Sequence, residues 1–140
     1  MINLAKFNTV AACNSGAEIQ LKDPYTGEPI EAFITVRGKD SDAFQQVIRD
    51  RVNGELRKQA LRKKTAIPEI MTVEKSEEDA IDLLVMCTVG WRSGSEQSFT
   101  FDDEVLPFSI KNAKRVYTEW PWIRRQIDEA IADLENFMPT

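Results

Sequence analysis

Apolar and polar positions alternate first over Ala17-Glu18-Ile19-Gln20-Leu21, and again from Ile30 to Val36. A two-residue period is the mark of a half-buried strand. Ile30, Ala32, Ile34 and Val36 share one face of the second run; Glu31, Phe33, Thr35 and Arg37 share the other. Between the runs lies Asp23-Pro24-Tyr25-Thr26-Gly27-Glu28-Pro29. Pro24 presets a turn and Gly27 accepts positive φ. The pattern predicts a β-hairpin over residues 17–37. Residues 1–16 carry little pattern, and a mobile lead-in is expected there.

The period then changes to that of a helix. Gly38-Lys39-Asp40-Ser41 breaks the strand, and Asp40 or Ser41 caps a helix over residues 41–64. Its apolar positions are Phe44, Val47, Ile48, Val52, Leu56 and Ala60, a narrow stripe interrupted by Gly54. Thr65 to Lys75 reads as a connector, because Pro68 forbids a continuous helix. Ser76-Glu77-Glu78-Asp79 has the hydroxyl and the carboxylate of a capping box. The helix it opens, Glu77 to about Val89, is apolar nearly all round, and Gly90 stops it. Arg92 to Glu104 is polar, with Phe99-Thr100-Phe101 as a short strand and Asp102-Asp103-Glu104 as an acidic bend. Ser109 caps a further helix that ends before Pro121, because the residue preceding proline disfavours helical angles.

The final helix starts at Trp120-Pro121-Trp122, with proline in the first turn where its missing N–H costs nothing. Ile123, Ile127, Ala130, Ile131, Leu134 and Met138 fall on one side, and Arg124, Arg125, Asp128, Glu129, Asp133 and Glu135 on the other. All three tryptophans and four phenylalanines lie in the last third of the chain. Large aromatics bury the most area per residue, so the core is expected around them. Trp91, Leu106, Phe108, Trp120, Trp122, Ile123 and Ile127 are its expected members. The fold class is α+β, one domain over residues 1–140. An N-terminal β-hairpin is followed by about four helices, and the helical body, residues 76–138, packs around a tryptophan cluster.

Composition narrows the function. At 140 residues, 42% hydrophobic and 29% charged, the chain has ordinary globular values. No apolar run is long enough to cross a membrane, and Met1 to Lys6 lacks the features of a secretory signal. Cys13 and Cys87 are far apart, which fits reduced, buried thiols of a cytoplasmic protein, Cys87 within a helix. There is no histidine, the commonest general base and metal ligand. No phosphate loop, dinucleotide fingerprint or zinc motif occurs. Three adjacent acids are more often a solvated turn than a metal site. The expectation is therefore a protein that is no enzyme and holds no cofactor or metal.

Charge is uneven: residues 1–70 carry 11 basic and 9 acidic side chains, and residues 71–140 carry 7 and 14. Opposite signs in the two halves permit head-to-tail contact between copies, although solvation explains them equally well. The basic run Arg57, Lys58, Arg62, Lys63 and Lys64 is the best phosphate-binding candidate. No aromatic interleaves it and the whole chain is acidic, which favours a solvated face or a dock for an acidic protein.

Several stretches together resemble a family. Their order is Gly90-Trp91, a variable loop, Leu106-Pro107-Phe108-Ser109, Asn112-Ala113, Trp122-Ile123-Arg124-Arg125-Gln126-Ile127, Ala132-Asp133 and Asn136-Phe137. Ahead of them stand the Asp23 to Pro29 turn, a short β run, a Gly-Lys-Asp-Ser break and a basic helix. The whole, over about residues 18–138, resembles the tail assembly chaperones of long-tailed (siphovirus-type) bacteriophages and prophages. The departure is Arg92 to Val105, where Ser98-Phe99-Thr100-Phe101 replaces a compact glycine turn. The resemblance implies a non-enzymatic late protein of the host cytoplasm, absent from the mature virion. Such chaperones coat the tape measure protein and recruit the tail tube protein, the latter through a longer form made by ribosomal frameshifting. Self-association is also implied. Candidate partner contacts are Phe33, Arg57, Arg62, Lys63, Lys64, Phe99 and Phe101, set against the plainer reading that the aromatics pack on their own core. A tail-completion or head–tail connector protein of the virion is the alternative, and a small nucleic-acid-binding regulator a third reading.

Overall fold

The structure is a computed structural model that describes residues 2–65 and 73–137, without the side chains of residues 6, 61–65 and 73–75. It is a mixed α/β fold with five α-helices, a three-stranded antiparallel sheet and a two-stranded one. The expected hairpin is present: β1 (Ala17–Lys22) pairs antiparallel with β2 (Pro29–Val36). Asp23 makes the turn. Its Oδ1 accepts from the Tyr25 and Thr26 amides at 2.8 and 3.3 Å, and Gly27 takes φ 77°. Ile34 and Val36 are fully buried and Ile30 and Ala32 partly so, as the alternation requires.

Three elements differ from expectation. A short helix, α1 (Thr9–Ser15), stands where a patternless lead-in was expected; Asn8 caps it and Cys13 is buried. Helix α3 (Val73–Cys87) begins before Ser76 and ends short of Val89. Thr88–Ser93 is instead a strand, β3, on the free side of β2, with Trp91 opposite Ile34. Thr88 and Val89 are β-branched and suit the sheet. The helix end is closed by the Thr88 hydroxyl, which donates to the Leu84 carbonyl at 2.7 Å, and by the Arg37 amide, which donates to the Cys87 carbonyl at 2.8 Å. Although apolar nearly all round, α3 is not buried all round, since Ala80 and Met86 are exposed. Third, Glu104–Pro107 is a strand, β5, paired with β4 (Ser98–Phe101). Asp102, at φ 54°, makes their tight turn, a conformation aspartate tolerates better than most residues.

The remaining helices are α2 (Asp42–Thr65), α4 (Ile110–Glu119) and α5 (Pro121–Ala132). Ser41 caps α2 and Ser109 caps α4, each hydroxyl accepting a backbone amide three residues on. Pro121 opens α5 as expected. Ile123, Ile127, Ala130 and Ile131 are buried, and Leu134 packs partly against the core. Met138 and Pro68 lie outside the described residues. Arg124, expected to face away, reaches across to α3 and pairs with Glu77 at 2.9 Å. Lys114 of α4 likewise meets Glu78 and Asp82 at 3.5 and 3.4 Å, so the acidic start of α3 ties down both C-terminal helices.

The core joins the sheet to α3, α4 and α5. Trp91, Leu106, Ile123 and Ile127 are buried within it, with Phe108, Trp120 and Trp122 partly buried against it. A row of rings runs through one side. Phe108 meets Trp91 edge-on at 5.2 Å, Trp91 stacks on Phe99 at 4.9 Å, Phe99 meets Phe101 at 6.4 Å, and Phe101 stacks on Trp120 at 4.9 Å. Offset and edge-on pairs such as these add about 0.5–1.5 kcal/mol each beyond the area they bury. The Trp91 indole N–H is satisfied by the Leu106 carbonyl at 3.0 Å, which ties β3 to β5. On the far side, consecutive amides of Arg37, Gly38 and Lys39 donate to Cys87, Cys13 and Ile131, knotting α3, α1 and α5 together. Gly38 has no room for a side chain: a Cβ there would collide with the Cys13 sulfur and press on the Phe137 ring.

Candidate functional site

The outer half of α2 is the most unusual surface. Four residues exceed one helical turn of about 3.6 residues, so each four-residue step rotates the side chain by about 40°. Phe44, Ile48, Val52, Leu56 and Ala60 follow one another at such steps, and the row winds by about 160° over its length. Its first members reach the core: Phe44 packs against it and Ile48 is half-buried. Its later members have turned outward. Val52 is 53% exposed and Leu56 58%, and Ala60 is exposed too. The inward side at that level is taken by Arg51, whose guanidinium donates to the Asp79 carbonyl of α3. The helix therefore carries an apolar ridge into solvent.

Basic residues accompany the ridge. Helix α2 holds seven basic and three acidic residues, and no acid follows Glu55. Arg57 is exposed beside Leu56. Arg62, Lys63 and Lys64 belong to the last turns of the same helix, and their side chains lie outside the described residues.

The aromatic candidates fall elsewhere. Phe33 is half-buried on the outer face of the hairpin, with the Arg92 guanidinium 4.0 Å from its ring centre. That guanidinium is held by Glu18 through two bonds of 2.8 and 2.6 Å and by the Gly94 carbonyl at 2.7 Å. The bond from Arg92 holds the Glu18 carboxyl below its ordinary value. Phe99 is buried and Phe101 half-buried, both inside the row of rings. Each of the three packs at least in part against its own chain, and Phe99 and Phe101 also line an apolar groove with Leu21 and Trp122. The acidic bend is similarly engaged. Glu104 grips Arg115 through bonds of 2.5 and 2.7 Å, which lowers its pKa.

Burial holds two ionisable groups, Cys87 and Tyr117, in their neutral forms. Cys13 and Cys87 are fully buried, and burial pushes the Cys87 thiol up to about 11. Tyr117 is buried with its hydroxyl 2.7 Å from that of Thr88. Burial raises its pKa far above any physiological pH. A thiol that stays protonated is a poor nucleophile. Among the described residues no helix is long and apolar enough to cross a membrane.

The sequence places Val52 and Leu56 in one narrow stripe with Phe44 and Ile48. The signal that they turn outward is present in the strict four-residue spacing, read as an angle. Nothing local in the sequence points to the role of Gln126, whose side chain accepts from the Lys22 amide and donates to the Lys22 carbonyl, both at 2.8 Å. In doing so it occupies the open edge of β1 as a neighbouring strand would, and blunts that edge against chance pairing. Comparison with protein-family models, curated proteins and solved structures finds no match for the chain.

Proposed function

We propose that the chain is a tail assembly chaperone of a long-tailed bacteriophage or prophage, a protein that binds the tape measure protein and recruits tail tube subunits without catalysing a reaction. The observation that carries the reading is the solvent-facing ridge of α2. A row at four-residue spacing is the ridge that interdigitates with a like row on another helix. An amphipathic helical client offers such a row and would aggregate if left uncovered. The basic flank, from Arg57 onward, suits a client with acidic positions beside its apolar stripe.

The residues behind the family resemblance also lend support by acting together. Trp91 is bonded to Leu106, Ser109 caps α4, Asn112 donates to the Pro107 carbonyl at 2.8 Å, and Ile123 and Ile127 close over the same core. A motif spread over some fifty residues that builds one structural unit is a coherent signature. On this reading the protein works in the host cytoplasm, self-associates along its client, meets the tube protein through a frameshifted longer form, and is missing from finished particles. Co-expression with the tape measure polypeptide encoded beside it tests the proposal: the two should co-purify, and the client should be insoluble without the chaperone. Abundance of the chain in purified virions would instead make it a structural tail component.

A further inference from the structure

We propose that the open edge of β1 takes an extended segment of a partner protein as an added antiparallel strand, seated in the channel between β1 and α5. The direction of the backbone groups along β1 is the first ground. In β2 the Arg37 amide donates to the Cys87 carbonyl, so Thr35 and Phe33, at two-residue steps before it, also turn their backbone groups toward β3. Their partners in β1, Glu18 and Gln20, therefore point N–H and C=O away from β2. Lys22 continues that series, and its amide and carbonyl do point outward, into the Gln126 side chain. Among the described residues, no hydrogen bond meets the outward backbone groups of Glu18 and Gln20.

The Gln126 carboxamide shows what the edge accepts. It offers one acceptor and one donor to a single residue, both at 2.8 Å, as a residue of an antiparallel strand does to its opposite. One end of the edge thus already holds an amide. Beyond Gln126 the edge faces a channel of about 400 Å³, with Ile19 and Ala130 in its lining. A segment pairing with both Glu18 and Gln20 needs about 10 Å of strand. Register sets its chemistry. The residues opposite Glu18 and Gln20 exchange both backbone bonds with them and turn their side chains to the solvent face of the sheet. The residue between them lies opposite Ile19 and turns toward α5, where a β-branched aliphatic side chain suits the Ile19 and Ala130 surface. Lys22, Glu129 and Asp133 give the channel charges of both signs, and Glu18 is already held by Arg92. Recognition is therefore by backbone, with the aliphatic residue fixing the register.

The site is separate from the α2 ridge, and a chain that ignored every helical client would leave it intact. The test is amide hydrogen exchange read by NMR on the whole chain, with the end-capped peptide Thr-Val-Thr-Val-Thr as probe. At saturating peptide the Glu18 and Gln20 amides should exchange about tenfold more slowly. The same peptide N-methylated at its threonines keeps every side chain, loses the donors and should give no protection. Gln20→Pro removes an outward N–H that the fold does not use, which an edge strand tolerates, and should stay folded without binding the peptide. Gln20→Ala loses the same side-chain bond to the Ile30 carbonyl, keeps the N–H and should bind as wild type does. Gln126→Ala frees Lys22 for a further threonine and should bind about fivefold more tightly. No protection in wild type, protection by the N-methylated peptide, or equal or weaker binding by a folded Gln126→Ala overturns the proposal. Protection of Glu18 and Gln20 at raised protein concentration without peptide would mean that copies pair along β1, and overturns it too.

Discussion

Helices α2 and α5 each carry a row of apolar residues and dispose of it in opposite ways. In α5 the spacing mixes three- and four-residue steps, so Ile123, Ile127, Ala130 and Ile131 stay within an arc of about 100° and all are buried. In α2 the row Phe44, Ile48, Val52, Leu56 and Ala60 advances by four residues at each step and leaves the core halfway along. The contrast separates two uses of a hydrophobic residue. The α5 row is consumed by the fold and sets its stability. The outer α2 row contributes little to folding and stays open to solvent.

The sharpest way to break this contrast is to truncate one residue from each helix. Ile127→Ala, which empties a fully buried site, should cost about 3 kcal/mol and lower the melting temperature by about 10 °C. Leu56→Ala should stay within about 0.5 kcal/mol of wild type, as an exposed position should. Equal losses in thermal unfolding would mean that α2 packs on its own chain.

A smaller effect is expected at the knot that fastens α1 and the C-terminus to the core. Gly38→Ala forces a methyl against the Cys13 sulfur and the Phe137 ring, and overpacking of this kind costs about 1–3 kcal/mol. Both cysteines are shielded in the native state, so the variant should also label faster with a thiol reagent at neutral pH. Unchanged labelling and unchanged melting would show that the knot yields freely.

The smallest effect is electrostatic. Glu18 and Glu104 titrate below their ordinary values because each is bonded to an arginine, Arg92 and Arg115 respectively. The unfolded chain therefore takes up protons first as pH falls. The contribution of each pair is complete above the ordinary carboxylate range and is lost as pH drops through the lower, folded value. It is small, since the Glu18 and Glu104 side chains are 41% and 50% exposed. Glu104→Gln should leave a shallower fall of melting temperature on acidification than wild type shows. An identical acid profile would mean that the Arg115 pair adds nothing.

What the sequence made legible follows the range of the interaction. The β1–β2 hairpin, the Ser109 cap and Pro121 at the start of α5 are written in residues a few positions apart. Strand β3 is not. Its partner Ile34 lies more than fifty residues from Trp91, and the local run ending in Cys87-Thr88-Val89-Gly90 reads equally well as the end of a helix. Strand β5 was hidden by Pro107, which fits a strand only because it lies at its end. At the candidate site, the basic character of α2 was legible in composition. The outward turn of Val52 and Leu56 required knowing where the core lies. Nothing local in the sequence reveals that Phe33, Phe99 and Phe101 contact Arg92, Trp91 and Trp120.

The central claim is that the outer ridge of α2 binds a helical protein client and the rest of the chain holds that helix out. Its most direct test is co-expression of the tape measure polypeptide with wild type and with a Val52→Asp/Leu56→Asp variant, followed by affinity purification and thermal melting of this chain. The account predicts that wild type retains the client and that the variant loses it while melting within a few degrees of wild type, about 2–4 °C per kcal/mol being the scale for a domain this size. Retention of the client by a stably folded variant, or no client bound by wild type, would contradict it.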